Sequence, residues 1–381
     1  IAGNLHNFGG RINMHGDLAL LASNQYKKAK ARYPNVCGSG LFMEAIEQNP
    51  VYYDLAFEMP NHTDSIHLQG WLAAYAERRY GAKSAAAEKA WMYLLEGPYR
   101  RGTNGTERSS IVAARPALDV KKSGPNAGLG IPYEPMLVIQ AQAQLLKDAD
   151  RLAASKPYRF DIVDVQRQMM TNLGQLVHKK AAEAFVAKDK AAFTLHSRRF
   201  LELLSDMDEL LYTRSEYSFD KWLTEARSWG ETKEEKDLME RDATSLVTIW
   251  GADGDPRIFD YSWREWAGLI NGYYLPRWQK FYTMLQGHLD AGTDYQEEGL
   301  PLAYGREDFR ANDFYNQLAD WELAYVVQTD KARTPVTRGD ELVITRRLFD
   351  KYLKLSREYY TDFSGVEEIK EERTYENVGE E

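Results

Sequence analysis

The chain has 381 residues, 44% of them hydrophobic, and a net charge of −9, a composition ordinary for a soluble globular protein with room for one large domain or two. Acidic and basic residues are mixed without a basic stripe, which argues against nucleic acid as a partner, and no apolar run approaches the ~18–20 residues of a membrane span. The single cysteine, Cys37, excludes an internal disulfide.

In chain order, residues 1–60 read as two βα units: strand 4–8, helix 17–32, strand 36–43 and helix 45–58. Strand, helix, strand is the unit of a parallel sheet or barrel, and two such units cannot close a barrel alone. Ile1 opens almost inside a strand, without a methionine or a signal-like stretch, so the chain reads as the C-terminal part of something longer. Glu44 falls at the C-terminal end of the second strand, where barrel enzymes carry their chemistry. That makes it a candidate catalytic carboxylate; the alternative is a residue that caps or salt-bridges the next helix. Glu47 follows in the first helical turn and faces a different way.

Met59-Pro60 marks a break, because proline disfavours helix at the residue before it. Beyond it, apolar residues recur at helical spacing over 66–80, 84–96, 134–154, 160–187, 190–212, 218–229, 233–249, 260–291, 308–328 and 340–361. Asp64-Ser65 and Ser218 are expected N-caps. Residues 98–135, rich in Gly, Asn, Ser and Pro, read as a long loop of the kind that is functional or disordered. Asn61 and Asn104 fit the glycosylation acceptor pattern. The domains expected are a barrel remnant at 1–60, an all-α domain at 61–365 and a fraying acidic tail at 366–381.

Seven histidines are scattered, without HExxH or a Cys/His cluster, so no metal is expected. No GxGxxG, Walker or GxSxG motif is present, and no cofactor is implied. Gly9-Gly10 reads as a strand-ending turn. What remains is carboxylates with aromatics. The chain carries 9 Trp and 24 Tyr, side chains that stack on sugar rings or fill helix contacts. Glycoside hydrolysis needs two carboxyl groups, an acid and a nucleophile or base, and Glu44 can fill one role. Trp250 and Tyr261 flank a turn between two expected helices, the second starting near Asp260. Trp250 is then either a core residue at a helix C-terminus or a wall of a sugar pocket.

Several segments together resemble one family: Leu5-His6-Asn7-Phe8-Gly9-Gly10, Gly38-Ser39-Gly40 through Glu44 with Gln48-Asn49, Arg78-Arg79-Tyr80-Gly81, Tyr158-Arg159-Phe160-Asp161 with Asp164 and Arg167-Gln168, Trp250-Gly251, Asp260-Tyr261, Ala267-Gly268-Leu269 and Tyr273-Tyr274-Leu275-Pro276-Arg277-Trp278. Their order and spacing are similar to those of glycoside hydrolase family 89, the alpha-N-acetylglucosaminidases. The resemblance implies a mainly α chain: an all-helical C-terminal domain preceded by the last two βα units of a (β/α)8 barrel. It implies a retaining exo-glycosidase that releases terminal α-linked N-acetylglucosamine from glycans, with Glu44 at the position of the nucleophile. It also implies sugar contacts at Leu5, Trp250, Ile258 and Tyr261, with His6 and Asn7 on the same strand end.

Two departures stand out. The loop 253–257 is longer than the family's, and the family's general acid, a Glu after Asn, has no counterpart, since the chain holds no Asn-Glu pair. The acid is therefore expected from an upstream portion of the same enzyme, and the isolated chain is expected not to hydrolyse glycosides; turnover by it would refute this. The rival reading is a noncatalytic carbohydrate-binding or scaffolding helical protein. Composition and resemblance together suggest an exported bacterial protein, periplasmic or extracellular, where animal relatives are lysosomal.

Overall fold

The computed structural model describes residues 1–45, 49–100, 102, 108–124, 128–250, 259–297 and 312–361. In chain order they form β1 (Ala2–Leu5), α1 (Leu18–Ala22), α2 (Gln25–Arg32), β2 (Ser39–Phe42), α3 (Pro50–Glu58), α4 (Leu68–Tyr80), α5 (Ala85–Glu96), α6 (Met136–Lys147), α7 (Ala149–Leu152), α8 (Lys156–Val186), α9 (Lys190–Leu211), α10 (Phe219–Arg227), α11 (Lys233–Leu246), α12 (Leu275–Ala291), α13 (Asp313–Val327) and α14 (Glu341–Tyr359). The fold is mainly α, as expected. Ile258, Glu47, Asn104 and the acidic tail 366–381 lie outside the described residues. By contacts the chain divides into two compact units, one of residues 1–107, 131–169 and 341 onward, the other of 108–130 and 170–340.

In the first unit β1 and β2 pair in parallel, with Ala2 opposite Ser39 and Leu5 opposite Phe42. The first strand ends three residues earlier than its sequence pattern suggested. After Leu5 the chain turns inward, and Gly9 (φ 66°) and Gly10 (φ 71°) take left-handed conformations that end an extended run. The helix expected over 17–32 is two helices. Asn24 stands between them at φ 58°, its side chain donating to the carbonyls of His62 (2.9 Å) and Asp64 (3.3 Å) while accepting the Lys27 N–H. Helix α4 is capped by His67, whose ring accepts the Gly70 N–H at 3.2 Å, and not by the Asp64-Ser65 pair. It ends at Gly81, where φ of 74° suits glycine.

Polar residues of α8 hold the irregular stretch after β1. The buried Arg167 guanidinium donates to the Ile12 carbonyl (2.8 Å), to Asn13 Oδ1 (3.2 Å) and to Asp164 (2.8 and 3.0 Å). Gln168 Oε1 accepts the Met14 N–H at 2.9 Å. Asp161 receives a two-pronged bond from Arg79 at 2.6 and 2.7 Å and the Tyr80 hydroxyl at 2.8 Å. Buried charges persist when they are paired and hydrogen-bonded.

In the second unit α9, α12 and the later part of α8 bury Phe200, His178, Trp278 and Tyr282 as an aromatic cluster, with Phe200 and Trp278 ring centroids 4.8 Å apart. Part of the long loop expected at 98–135 serves this core: Ile111, Val112, Ala113, Ala114 and Ala117 are fully buried. Ser110 donates to Glu265 at 2.5 Å, and the Trp278 indole donates to the Val112 carbonyl at 3.3 Å. Residues 260–268 are not helical, although an apolar period runs through them. Gly268 sits at φ 83°, and Asp208 accepts the N–H groups of Gly268 (2.8 Å) and Asn271 (3.1 Å). A π-helical turn at Ile270–Tyr274 then leads into α12, the helix starting where those orphan donors are satisfied. Ser218 caps α10 as expected, accepting the Lys221 N–H. Among the described residues no helix is long and apolar enough to cross a membrane.

Candidate active site

Glu44 lies two residues past β2, exposed, at a bend. Its carboxylate Oε2 accepts the Gly9 N–H at 2.6 Å, and its own N–H donates to Asn7 Oδ1 at 3.2 Å. The two bonds stitch the end of one parallel strand to the end of the other. Asn7 is fully buried, so the acceptor that fixes the Glu44 backbone is itself held in place. The result is a carboxylate presented to solvent on a fixed backbone.

Beneath it, His6 is buried and sandwiched: its ring stacks on His15 (centroids 4.2 Å apart) and on Tyr52 (4.0 Å). His6 Nε2 lies 3.1 Å from the His15 carbonyl, and His15 Nε2 lies 2.7 Å from the His6 carbonyl. Burial pushes the Tyr52 phenol up to about 12 and raises Tyr53 as well, so both stay neutral. Asn4 hydrogen-bonds the Tyr52 hydroxyl. Asn49 closes the layer, its Oδ1 accepting the His15 N–H (3.1 Å) and the Tyr99 hydroxyl (2.8 Å). Gly16 makes the stack possible. At φ 131°, a Cβ there would meet Tyr52 Cδ2 at 2.4 Å and His6 Nε2 at 3.1 Å. Leu5, the last residue of β1, is 40% exposed, and Phe42 and Met43 beside Glu44 are 55% and 39% exposed.

In the second unit Trp250 and Tyr261 come together, ring centroids 4.7 Å apart and edge to face. The helix expected to end at Trp250 ends at Leu246, and no helix begins at Asp260; the connecting residues 251–258 lie outside the described residues. Trp250 (φ 64°) and Asp260 (φ 54°) both adopt the left-handed conformation, uncommon for residues with side chains. Their N–H groups bond to the carbonyls of Ser245 (2.6 Å) and Thr248 (3.1 Å), respectively. Ile249 and Phe259, just inside them, pack with Val326.

Residues 71–351 match the family model described as Alpha-N-acetylglucosaminidase (NAGLU) C-terminal domain, and residues 1–63 match that of the Alpha-N-acetylglucosaminidase (NAGLU) tim-barrel domain. The chain belongs to the alpha-N-acetylglucosaminidase family. The Homo sapiens protein named Alpha-N-acetylglucosaminidase is 33% identical over 357 residues, which are 91% of this chain and 44% of that protein. Among solved structures, the family 89 glycoside hydrolase from Clostridium perfringens in complex with PUGNAc superposes with a TM-score of 0.81 at 29% identity, over 94% of this chain and 39% of that one. CpGH89 from the same organism, in complex with its substrate GlcNAc-alpha-1,4-galactose, gives a TM-score of 0.83 at 27% identity, over 94% of this chain and 40% of that one. The chain thus spans less than half the length of these relatives. The family was legible beforehand in the order of the short motifs.

Sequence reasoning missed the parts that no single motif marks. Gly9 passed as a strand-ending turn, yet its N–H binds the Glu44 carboxylate. Gly16 and Tyr52 were not singled out, though together they define the layer under the strand ends. Two adjacent glycines directly after a strand were the available signal for the first; the close approach at Gly16 leaves none.

Proposed function

We propose that this chain is the C-terminal part of a retaining exo-glycosidase that releases terminal α-linked N-acetylglucosamine, with Glu44 as its nucleophile. The observation that carries the reading is the exposed Glu44 carboxylate, bonded to the Gly9 N–H beside the end of a parallel strand within residues that match the family's barrel. Active sites of such barrels lie at the C-terminal ends of the strands. The family resemblance assigns sugar contacts to Leu5, with His6 and Asn7 on the same strand end, and separately to Trp250, Ile258 and Tyr261.

The chemistry divides between this chain and the rest of the barrel. Glu44, ionised, attacks the anomeric carbon as the bond to the leaving oxygen breaks, and a carboxylic acid outside this chain protonates that oxygen. The same group, now a carboxylate, takes a proton from water, which displaces Glu44 and releases the sugar with its α configuration. The substrate's 2-acetamido group cannot replace Glu44, because in an α-glycoside it lies on the same side as the leaving group. Export to the periplasm or beyond accords with a glycan substrate.

The test uses the protein with its upstream portion and an aryl α-N-acetylglucosaminide. Glu44→Gln is expected to abolish turnover without lowering the melting temperature. Azide added to Glu44→Gly should restore aryl release and yield the β-glycosyl azide, the product of attack on the face that Glu44 vacates. Equal turnover by native and Glu44→Gln protein would remove Glu44 from the role. No turnover by either would favour a carbohydrate-binding module.

A further inference from the structure

A buried ionic cluster lies directly behind the Trp250–Tyr261 pair. The Asp260 carboxylate accepts two parallel bonds from Arg277, Nη1 to Oδ1 and Nη2 to Oδ2, each 3.0 Å. Arg277 Nε faces Glu322 Oε1 at 3.4 Å, and Arg115 Nη2 faces Glu322 Oε2 at 3.2 Å. The side chains of Asp260, Arg277 and Glu322 are wholly inaccessible to solvent, and that of Arg115 is 11% exposed. Two acids and two bases balance. Aromatic rings wall the cluster, with the Arg277 guanidinium 4.9 Å from the Tyr273 centroid and that of Arg115 5.4 Å from Phe259.

Buried ion pairs are poor devices for stability alone, because desolvation cancels much of their attraction. What they supply is direction, and a two-pronged arginine fixes a carboxylate in both distance and angle. Here the fixed carboxylate belongs to a residue whose backbone sits in the left-handed region. Such a conformation persists only where the surroundings over-determine it. Tyr261 is the next residue. Trp250, also left-handed, is joined to the same turn through the Asp260 N–H bond to Thr248.

We propose that the Asp260–Arg277 pair, backed by Glu322 and Arg115, is the positioning device that holds Trp250 and Tyr261 edge to face for sugar binding. The proposal rests on the reading of those two aromatics as sugar-contacting residues. Asp260 and Arg277 touch no substrate; they act through the turn. With the clamp weakened, the rings sample other orientations and the sugar loses a preformed wall. KM should rise while kcat changes little, the pattern of lost uniform binding.

The experiment uses the full-length enzyme and three forms: Asp260→Asn, the pair Trp250→Ala/Tyr261→Ala, and all three changes together. Asp260→Asn keeps the side chain's shape and is expected to raise KM by about tenfold with kcat within about twofold. In the double-alanine background the same change should add less than about twofold, since there is no longer a pair to position. Glu322→Gln, a milder loosening of Arg277, should shift KM in the same direction by less. Amide hydrogen exchange gives a readout that needs no substrate: the Trp250 amide should exchange faster in Asp260→Asn, with the α8 and α9 peptides unchanged. An equal KM rise in both backgrounds, or unchanged exchange at Trp250, would overturn the proposal. If Trp250→Ala/Tyr261→Ala itself leaves KM unchanged, the sugar-wall reading fails instead, and the exchange result still decides the clamp.

Discussion

Replacing Gly16 by alanine tests the layer beneath the strand ends most directly. The added Cβ would stand 2.4 Å from a Tyr52 ring carbon at a residue whose φ is 131°. A side chain held in that backbone region costs about 1–3 kcal/mol. Forcing Tyr52 aside in a packed layer adds about 1–3 kcal/mol of overpacking. Alanine returns about 0.4–1 kcal/mol by stiffening the unfolded chain. The net expected loss is about 1–5.6 kcal/mol, and at roughly 2–4 °C per kcal/mol the melting temperature should fall by about 2–22 °C. Thermal and urea unfolding of the full-length protein measure it. The second change Tyr52→Leu removes the ring in the way, so Gly16→Ala/Tyr52→Leu should recover the steric part relative to Tyr52→Leu alone, leaving the backbone part. A Gly16→Ala protein that melts as the native one does would refute the reasoning, as would a cost that Tyr52→Leu leaves unaltered.

Three further outcomes are expected. Asp161→Ala strands the half-buried Arg79 without its two-pronged partner and removes the acceptor of Tyr80; unfolding experiments should show a loss of about 3–5 kcal/mol, whereas a loss below about 1 kcal/mol would mean the pair is solvated. Burial holds the Asp208 carboxyl up at about 6, from an ordinary value of 3.8. It favours the fold while protonated, so its contribution is present below about pH 4 and lost as pH rises through about 6, with a slope of up to about 1.4 kcal/mol per pH unit. Unfolding free energies at pH 4 to 7 should fall less steeply with rising pH in Asp208→Asn than in the native protein, and parallel profiles would contradict this. Thr232 and Glu235 form a reciprocal cap at the start of α11; Thr232→Ala should cost about 1 kcal/mol by denaturant titration, and no change would show the cap to be idle.

Apolar period and caps made most helices readable. Ser218 before Phe219 started α10 as expected, and the run from Lys190 to Leu211 matched its pattern within a residue. Reading failed where tertiary partners overruled the local pattern. Residues 260–269 carry helical spacing, but Asp208, distant in sequence, captures the amides of Gly268 and Asn271 and delays the helix. The stretch through Val112 read as a long loop because its neighbours are Gly, Ser and Pro, yet its alanines are small enough to thread a core. Glu44, Trp250 and Tyr261 stand out as candidates because reactive and aromatic side chains are conspicuous in a sequence. Their supports do not: the Gly9 amide is backbone, and Arg277 reaches Asp260 across 17 positions.

The bonds from Glu44 to Gly9 and Asn7 depend on one alignment of β1 against β2, with Leu5 opposite Phe42. Sliding one strand by a single residue would displace the carboxylate by about 3.3 Å and turn alternate side chains to the other face. Both bonds would then be lost together. Under the proposed function a mispaired sheet would be silent as well as less stable. Specific activity in a refolded preparation would therefore count the molecules whose strands have found their register, a tally that circular dichroism, blind to a one-residue slip, would miss.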